Sequence, residues 1–229
     1  MWANLDNRRR SMRRKNILSS GGIYHVYSKS IAGYKIFHTK NDYNRIIDLF
    51  KYYRIKNTGV KFSKFLEIRN MTIFIEKHWS SKDFLVEIIA YCIMPTHIHL
   101  VLKQLQEEGI VIFMGNILNS YSRFFNIRTS RKGPLWESRF KNVLVETDEQ
   151  LLHLTRYVHL NPVTAGLVES AEEWRYSSIK EYLSKRKDLE GICDFDSSIE
   201  LEKLNYKSFI DSQKNYQREL GKIKSLFLD

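Results

Sequence analysis

Four stretches of the chain carry the apolar pattern of β-strands. Each is rich in β-branched and aromatic residues, which predicts strands at residues 24–28, 87–93, 97–102 and 139–146. Only Met94, Pro95 and Thr96 separate the second strand from the third. So short a connection favours a turn between neighbouring antiparallel strands.

Apolar residues recur at helical spacing in the segments between and after these strands. This pattern predicts helices at residues 42–54, 109–128, 147–160 and 172–183. Asn41 is the predicted N-cap of the first helix. Thr147 and Gln150 fit a capping box at the start of the third, and Pro162 is expected to stop it. Residues 56–82 mix helix and strand signals. This order of elements predicts an α+β sandwich with a mostly antiparallel sheet.

The charge of the chain points to a polyanionic partner. The 229 residues carry a formal net charge of +11, and nucleic acid is the polyanion that basic globular proteins most often bind. Residues 1–20 are predicted to form a basic arm that can grip phosphates, with the cations Arg8, Arg9, Arg10, Arg13, Arg14 and Lys15. Residues 21–186 are predicted to form the folded domain. Residues 187–229 are a C-terminal extension to which the sequence assigns no role.

The remaining composition excludes several classes of protein. Cys92 and Cys193 are the two cysteines, and their spacing matches neither a zinc site nor a disulfide framework. No apolar run approaches membrane-spanning length, and the N-terminus is charged where a signal peptide would be apolar. We therefore expect a cytoplasmic protein without a membrane partner.

His97 and His99 form the first candidate for chemistry. Side chains alternate along a strand, so both imidazoles point to one face while Ile98 and Leu100 point to the other. Two nitrogen ligands on one rigid strand suit a metal ion and require a third ligand from elsewhere. Position 101 is Val, which disfavours hydrolases that use a third histidine there. The alternative is a pair of histidines on a half-exposed strand with no ligand role.

Tyr157 and Asn161 form the second candidate. Four residues apart, they are neighbours on the flank of the predicted helix, beside a buried stripe that includes Leu151 and Val158. A tyrosine can attack phosphorus when a metal polarises the phosphate, and an amide oxygen can join the metal ligands. The alternative is a packing tyrosine followed by a helix stop.

The residues around both candidates resemble one family. The segments YHVYSKS, AYCIMPTHIHLVLKQ, NSYSRFFN, GPLWESRFKNVLVETDEQLLHLTRYVHLNPVTAGLV and WRYSSIKEYL occur in the order found in the single-tyrosine transposases with a His-hydrophobic-His (HUH) motif. The likeness covers roughly residues 23–183 and is strongest to the REP-associated tyrosine transposases. Thr96 stands where the family often has Asn, and Ser28-Lys29-Ser30 replaces its usual Arg-Gly-Asn.

The resemblance implies a ferredoxin-like core and a set of roles. His97, His99 and Asn161 would hold Mg²⁺ or Mn²⁺, and Tyr157 would be the nucleophile that forms a 5′-phosphotyrosine link. The implied partner is single-stranded or hairpin DNA, and the implied state is either a monomer or a homodimer. Candidate phosphate contacts are Arg123, Arg128, Arg131, Lys132, Arg139 and Lys141.

Two other functions remain compatible with these residues. One is a protein that binds DNA hairpins without cleaving them, against which the presence of His97, His99 and Tyr157 argues. The other is a metal-dependent phosphodiesterase that uses water as its nucleophile and leaves no protein–DNA adduct.

Overall fold

The computed structural model of the chain describes residues 18–67, 84–184, 191–194 and 205–212. The six cations predicted for the N-terminal arm lie outside these ranges, as do most of the C-terminal extension and much of residues 56–82. In the part that is described, no helix has the length and apolarity needed to cross a membrane.

A four-stranded antiparallel sheet forms the centre of the fold. Its strands are β1 (Ile23–Lys29), β2 (Val86–Met94), β3 (His97–Gln104) and β4 (Lys141–Val145). They lie in the order β2-β3-β1-β4, and each neighbouring pair is antiparallel. This is the strand order of a ferredoxin-like sandwich, so the predicted fold class and all four predicted strands are confirmed.

Six α-helices are found among the described residues. They are α1 (Lys40–Tyr53), α2 (Phe62–Glu67), α3 (Gly109–Arg128), α4 (Asp148–Thr164), α5 (Ile179–Ser184) and α6 (Tyr206–Asp211). Short 3-10 turns lie at Ile31–Gly33 and Ala171–Glu173.

The sheet separates two apolar clusters. Ile98 and Leu100 of β3 point to the larger one, where α1 and α3 pack. Val101 points to the opposite face and packs with Val158 of α4. Since His97 and His99 share the face of Val101, burial of the other side of β3 fixes the direction of both imidazoles.

Helix α1 begins two residues earlier than predicted. Its N-cap is Thr39, not Asn41. The Thr39 side chain accepts from the backbone N–H of Asp42, and the Asp42 carboxylate accepts in return from the N–H of Thr39. This reciprocal pair satisfies two helix-end donors at once, which a lone Asn41 cap does not.

Helix α4 continues past the proline that was expected to end it. Pro162 lies inside the helix, which runs to Thr164. A proline at this position removes one backbone hydrogen bond, and Pro162 is buried against the sheet side of the helix. Burial therefore outweighs the lost bond near the end of the helix.

The predicted helix at residues 172–183 is wrong over its first half. Tyr176 and Ser178 lie in turns, Ser177 forms an isolated antiparallel bridge with Cys92, and the backbone of this segment bonds to the outer edge of β2. β2 is an edge strand, and satisfying its outer backbone groups favours this conformation over the helix that the apolar spacing indicates. The helix begins only at Ile179.

His159 anchors the inner side of α4. It is fully buried, its Nδ1 lies 2.7 Å from the Tyr206 hydroxyl and its Nε2 lies 2.7 Å from the Ser178 hydroxyl. The Tyr206 hydroxyl also bonds to Thr155 at 3.1 Å. α4 is thereby joined both to α6 and to the segment along β2.

We expect His159→Ala to lower the free energy of unfolding by about 2–4 kcal/mol, because it leaves a cavity and removes the two buried hydrogen bonds between the imidazole and the Tyr206 and Ser178 hydroxyls. Tyr206→Phe removes one hydroxyl and should cost only about 1 kcal/mol. Urea unfolding followed by circular dichroism measures both. Equal stability of His159→Ala and the unaltered chain would contradict this anchoring role.

Candidate active site

The two predicted metal ligands lie side by side on β3. The ring centroids of His97 and His99 are 5.0 Å apart. Each ring has its Nδ1 in a hydrogen bond: that of His97 with the Thr96 hydroxyl at 2.8 Å, and that of His99 with His25 Nε2 at 2.9 Å. In both rings Nε2 is therefore the nitrogen left for a ligand.

Helix α4 brings the predicted nucleophile to the same place. The Tyr157 ring lies edge-on to His99, with centroids 5.7 Å apart, and its side chain is 39% exposed. Asn161 stands one turn later and donates from Nδ2 to the Tyr157 carbonyl oxygen at 2.9 Å. With Nδ2 donating, Oδ1 remains as the acceptor of this amide. The structure thus brings His97, His99 and Tyr157 together and places Asn161 one helical turn after Tyr157.

Strand β1 adds two side chains that the sequence analysis did not single out. Tyr27 pairs directly with His99 across the sheet, and His25 is its diagonal neighbour. The His25 ring is stacked on His99 at 5.2 Å and lies edge-on to Tyr157 at 5.9 Å. The alternation of YHVYS places both on one face, but their distance from His99 depends on the β1–β3 register.

The histidines of this site are held in their neutral form. Burial lowers the pKa of His25 to about 4, and burial with the nearby Lys29 lowers the pKa of His97 to about 4. Burial, followed by His97, His25 and Lys29, lowers the pKa of His99 well below its ordinary value. A neutral imidazole keeps the lone pair that a metal requires, so ligand binding needs no prior deprotonation at pH 7.

The phenol of Tyr157 is not activated by its surroundings. Burial raises the pKa of Tyr157, while a hydrogen bond from Asn161 acts in the opposite direction and is outweighed. Attack by this oxygen therefore needs help in removing the proton or in making the phosphorus more reactive.

The donor set fits a divalent cation. Two neutral imidazoles offer Nε2 from one strand, and an amide oxygen lies on the helix beside them, a mixed nitrogen and oxygen set. In the described part of the chain, no group of three or more His, Cys, Asp or Glu side chains is arranged to hold a metal. A metal here would thus draw its remaining ligands from Asn161, water or the substrate.

The candidate phosphate contacts fall on two sides of the sheet. Lys141 of β4 pairs with Tyr27, and Lys29, which was not predicted, pairs with His97. Both therefore flank the histidines. Arg123 and Arg128 lie on α3, which packs on the opposite face of the sheet, and the structure does not bring them to the histidines.

Other predicted phosphate contacts are already engaged or lie in the loop before β4. Arg128 forms an ion pair with the buried Asp42 at 2.6 Å. Arg131 donates to the carbonyls of Gly133 and Pro134 and so holds its own loop. Lys132 and Arg139 are exposed in the same connection, which reaches β1 through a bond from the Glu137 N–H to the Lys29 carbonyl.

Comparison with known proteins agrees with this geometry. The family model described as "Transposase IS200 like" matches residues 62–161, a stretch that contains His97, His99, Tyr157 and Asn161. The chain is also 33% identical over 103 residues to a putative REP-associated tyrosine transposase of Haemophilus influenzae. Both matches support the resemblance of this chain to the single-tyrosine transposases.

Two further facts set the extent of this transposase likeness. The match to the Haemophilus influenzae protein covers 40% of this chain and 58% of the relative's length. A solved structure of a REP-associated tyrosine transposase bound to a REP hairpin shares the fold, with a TM-score of 0.52 and 15% identity. That match covers 80% of this chain and 92% of the other.

Because the folded state keeps its buried histidines neutral, acid should destabilise this domain. An unfolded histidine titrates near pH 6.5, above the folded values, so their contribution is complete above that pH and is lost as the pH falls towards 4. Urea unfolding with a chelator present should show this loss. His97→Gln, which cannot titrate, should make the fall shallower by at most about 1.4 kcal/mol per pH unit. An unchanged slope would mean that His97 is protonated in the folded protein.

Proposed function

We propose that the chain is a REP-type tyrosine transposase that nicks single-stranded DNA next to a hairpin and rejoins it. The observation that carries the proposal is the meeting of Tyr157 with His97 and His99, from separate elements, on one face of the sheet. A relative named as a REP-associated tyrosine transposase, and a fold neighbour described with a REP hairpin, support hairpin DNA as the partner.

The proposed reaction is a transesterification. The Tyr157 hydroxyl oxygen forms a bond to the scissile phosphorus while the bond from phosphorus to the 3′ oxygen breaks. The phenolic proton is lost and the departing 3′ oxygen gains one, so a 5′-phosphotyrosine and a free 3′-hydroxyl result. Attack by a 3′-hydroxyl on this linkage releases Tyr157 and rejoins DNA. No nucleotide cofactor is consumed, because one phosphodiester replaces another.

Each residue of the site has a task in this scheme. His97 and His99 would hold Mg²⁺ or Mn²⁺ through Nε2, with the Asn161 amide oxygen as a further ligand. The bound cation would supply charge neutralisation at the phosphate. Asn161 also acts on the Tyr157 phenol, because its hydrogen bonding opposes the rise that burial causes in the pKa of Tyr157.

The DNA strand is proposed to cross the face of the sheet that carries the histidines. Lys29 and Lys141 flank this face and would meet phosphates on both sides of the scissile bond. Arg139 and Lys132, in the loop that reaches β1, extend the positive surface towards the hairpin. The arm at residues 1–20 remains a proposed non-specific grip on phosphates.

Tyr157→Phe tests the nucleophile because it removes one oxygen and keeps the ring. With a hairpin oligonucleotide and Mn²⁺, the unaltered chain should give a DNA adduct that survives a denaturing gel. The variant should give neither adduct nor cleavage, while its melting temperature and hairpin affinity stay within error.

Tyr27→Phe is the matched control, since Tyr27 is the other phenol close to His99, with ring centroids 5.9 Å apart. It should retain the adduct. Cleavage that persists in Tyr157→Phe would identify water as the nucleophile. An adduct that disappears only in Tyr27→Phe would move the nucleophile to β1.

Salt dependence tests the proposed path of the DNA. The double variant Lys29→Ala, Lys141→Ala should bind a hairpin with a single-stranded flank more weakly at moderate salt. In a plot of the logarithm of affinity against the logarithm of salt concentration, the slope should become shallower by about 0.9 for each phosphate that the protein no longer neutralises. Arg123→Ala also removes one cation, but from the opposite face of the sheet, and should bind within about twofold of the unaltered chain. A larger drop in affinity for Arg123→Ala would place the DNA on the α3 face.

A further inference from the structure

His25 makes a hydrogen bond to a candidate metal ligand from the neighbouring strand β1. Its Nε2 lies 2.9 Å from Nδ1 of His99, a hydrogen bond across the β1–β3 pair. The two rings stack with centroids 5.2 Å apart and an interplanar angle of 16°. His25 also touches Tyr27 and Tyr157, so it lies at the centre of the aromatic group around the site.

Only one proton can lie between these two nitrogens, and its position decides what His99 can bind. When His99 Nδ1 carries the proton, it donates to the lone pair of His25, and His99 Nε2 keeps a lone pair of its own. When His25 Nε2 carries the proton, His99 Nδ1 must accept, and a neutral His99 then bears its proton on Nε2. The second arrangement closes His99 to a metal.

We propose that His25 is a positioning residue that accepts the Nδ1 proton of His99 and so turns Nε2 of His99 towards the metal. The inference rests on the proposed function, because it assigns His99 as a ligand. As the Thr96 hydroxyl does for His97, it gives His99 a hydrogen-bond partner on Nδ1 that holds the ring in place.

The same contact argues against His25 as a third ligand. Its Nε2 is already used by His99, and binding a metal through this nitrogen would break the bond that orients the neighbouring ring. No three-residue metal group that includes His25 is found among the described residues. His25 therefore acts through His99.

The test replaces His25 by either of two amide side chains, Gln or Asn, which have the same polar group and differ in length. Gln at position 25 extends far enough to place an amide oxygen close to where His25 Nε2 lies, whereas Asn is one methylene shorter and falls short of His99. Mn²⁺ affinity is measured without DNA, by the loss of the free-ion signal in electron paramagnetic resonance. His25→Asn should weaken Mn²⁺ binding about tenfold or more, and His25→Gln should stay within about threefold of the unaltered chain.

Three controls separate the possible failures. The melting temperature without metal should be equal for the Gln and Asn variants. Their difference in Mn²⁺ affinity then reflects how far the side chain at position 25 extends towards His99, and not a difference in folding. His97→Ala should abolish Mn²⁺ binding; if it does not, the proposed metal site fails. If His97→Ala abolishes binding while His25→Asn leaves it unchanged, only the role of His25 fails.

A spectroscopic count tests the ligand alternative directly. Electron spin echo modulation from Mn²⁺-loaded protein should show the nitrogens of two directly bound imidazoles, and the same two in His25→Gln. Three bound imidazoles in the unaltered chain, falling to two in His25→Gln, would make His25 a ligand and overturn the proposal.

Discussion

The pairing of β1 with β3 is the interaction on which the candidate site depends. Its register sets Tyr27 opposite His99 and Lys29 opposite His97, with His25 one diagonal step away. The opposite faces of both strands are buried under α1 and α3, so a slip by one residue would turn the apolar set outwards and the histidines inwards. The large core on one face therefore enforces the arrangement of polar groups on the other.

Helix α4 converts this sheet surface into a site. Its inner side is fixed by His159, whose two nitrogens reach Tyr206 and Ser178, and by Val158 in the smaller apolar cluster. These contacts fix the rotation of the helix about its own axis. Its outer flank therefore points Tyr157 at the imidazoles. Residues far along the chain thus contribute to the site by holding the helix that carries its phenol.

The parts of the site that lie close together in the sequence were predictable from it. A two-residue spacing on a strand put His97 and His99 on one face, and a four-residue spacing on a helix made Tyr157 and Asn161 neighbours, while their roles came only from the family resemblance and stay predictions. The contact between His25 and His99 was not, because it depends on a register between strands separated by about seventy residues. Arg123 shows the same limit, since charge says nothing about which face of the sheet a helix covers.

Errors in the predicted elements have a similar origin. Spacing and local stop signals indicated a helix end at Pro162, and a helix over residues that instead form turns and backbone bonds along β2. In both places the outcome was decided by packing and by edge hydrogen bonds from distant parts of the fold. Local signals were reliable where nothing else competed, as in β3 and α3.

His159 and Tyr157 lie two residues apart on one helix, yet their loss would have different genetic signatures. With Tyr157 as the proposed nucleophile, a change there would remove a reacting atom from a folded protein, so the defect would be the same at every growth temperature. A change at His159 reduces the folded population, which depends steeply on temperature and on protein turnover in the cell. Conditional alleles of this protein are therefore expected on the inner side of α4 and unconditional ones on its outer flank.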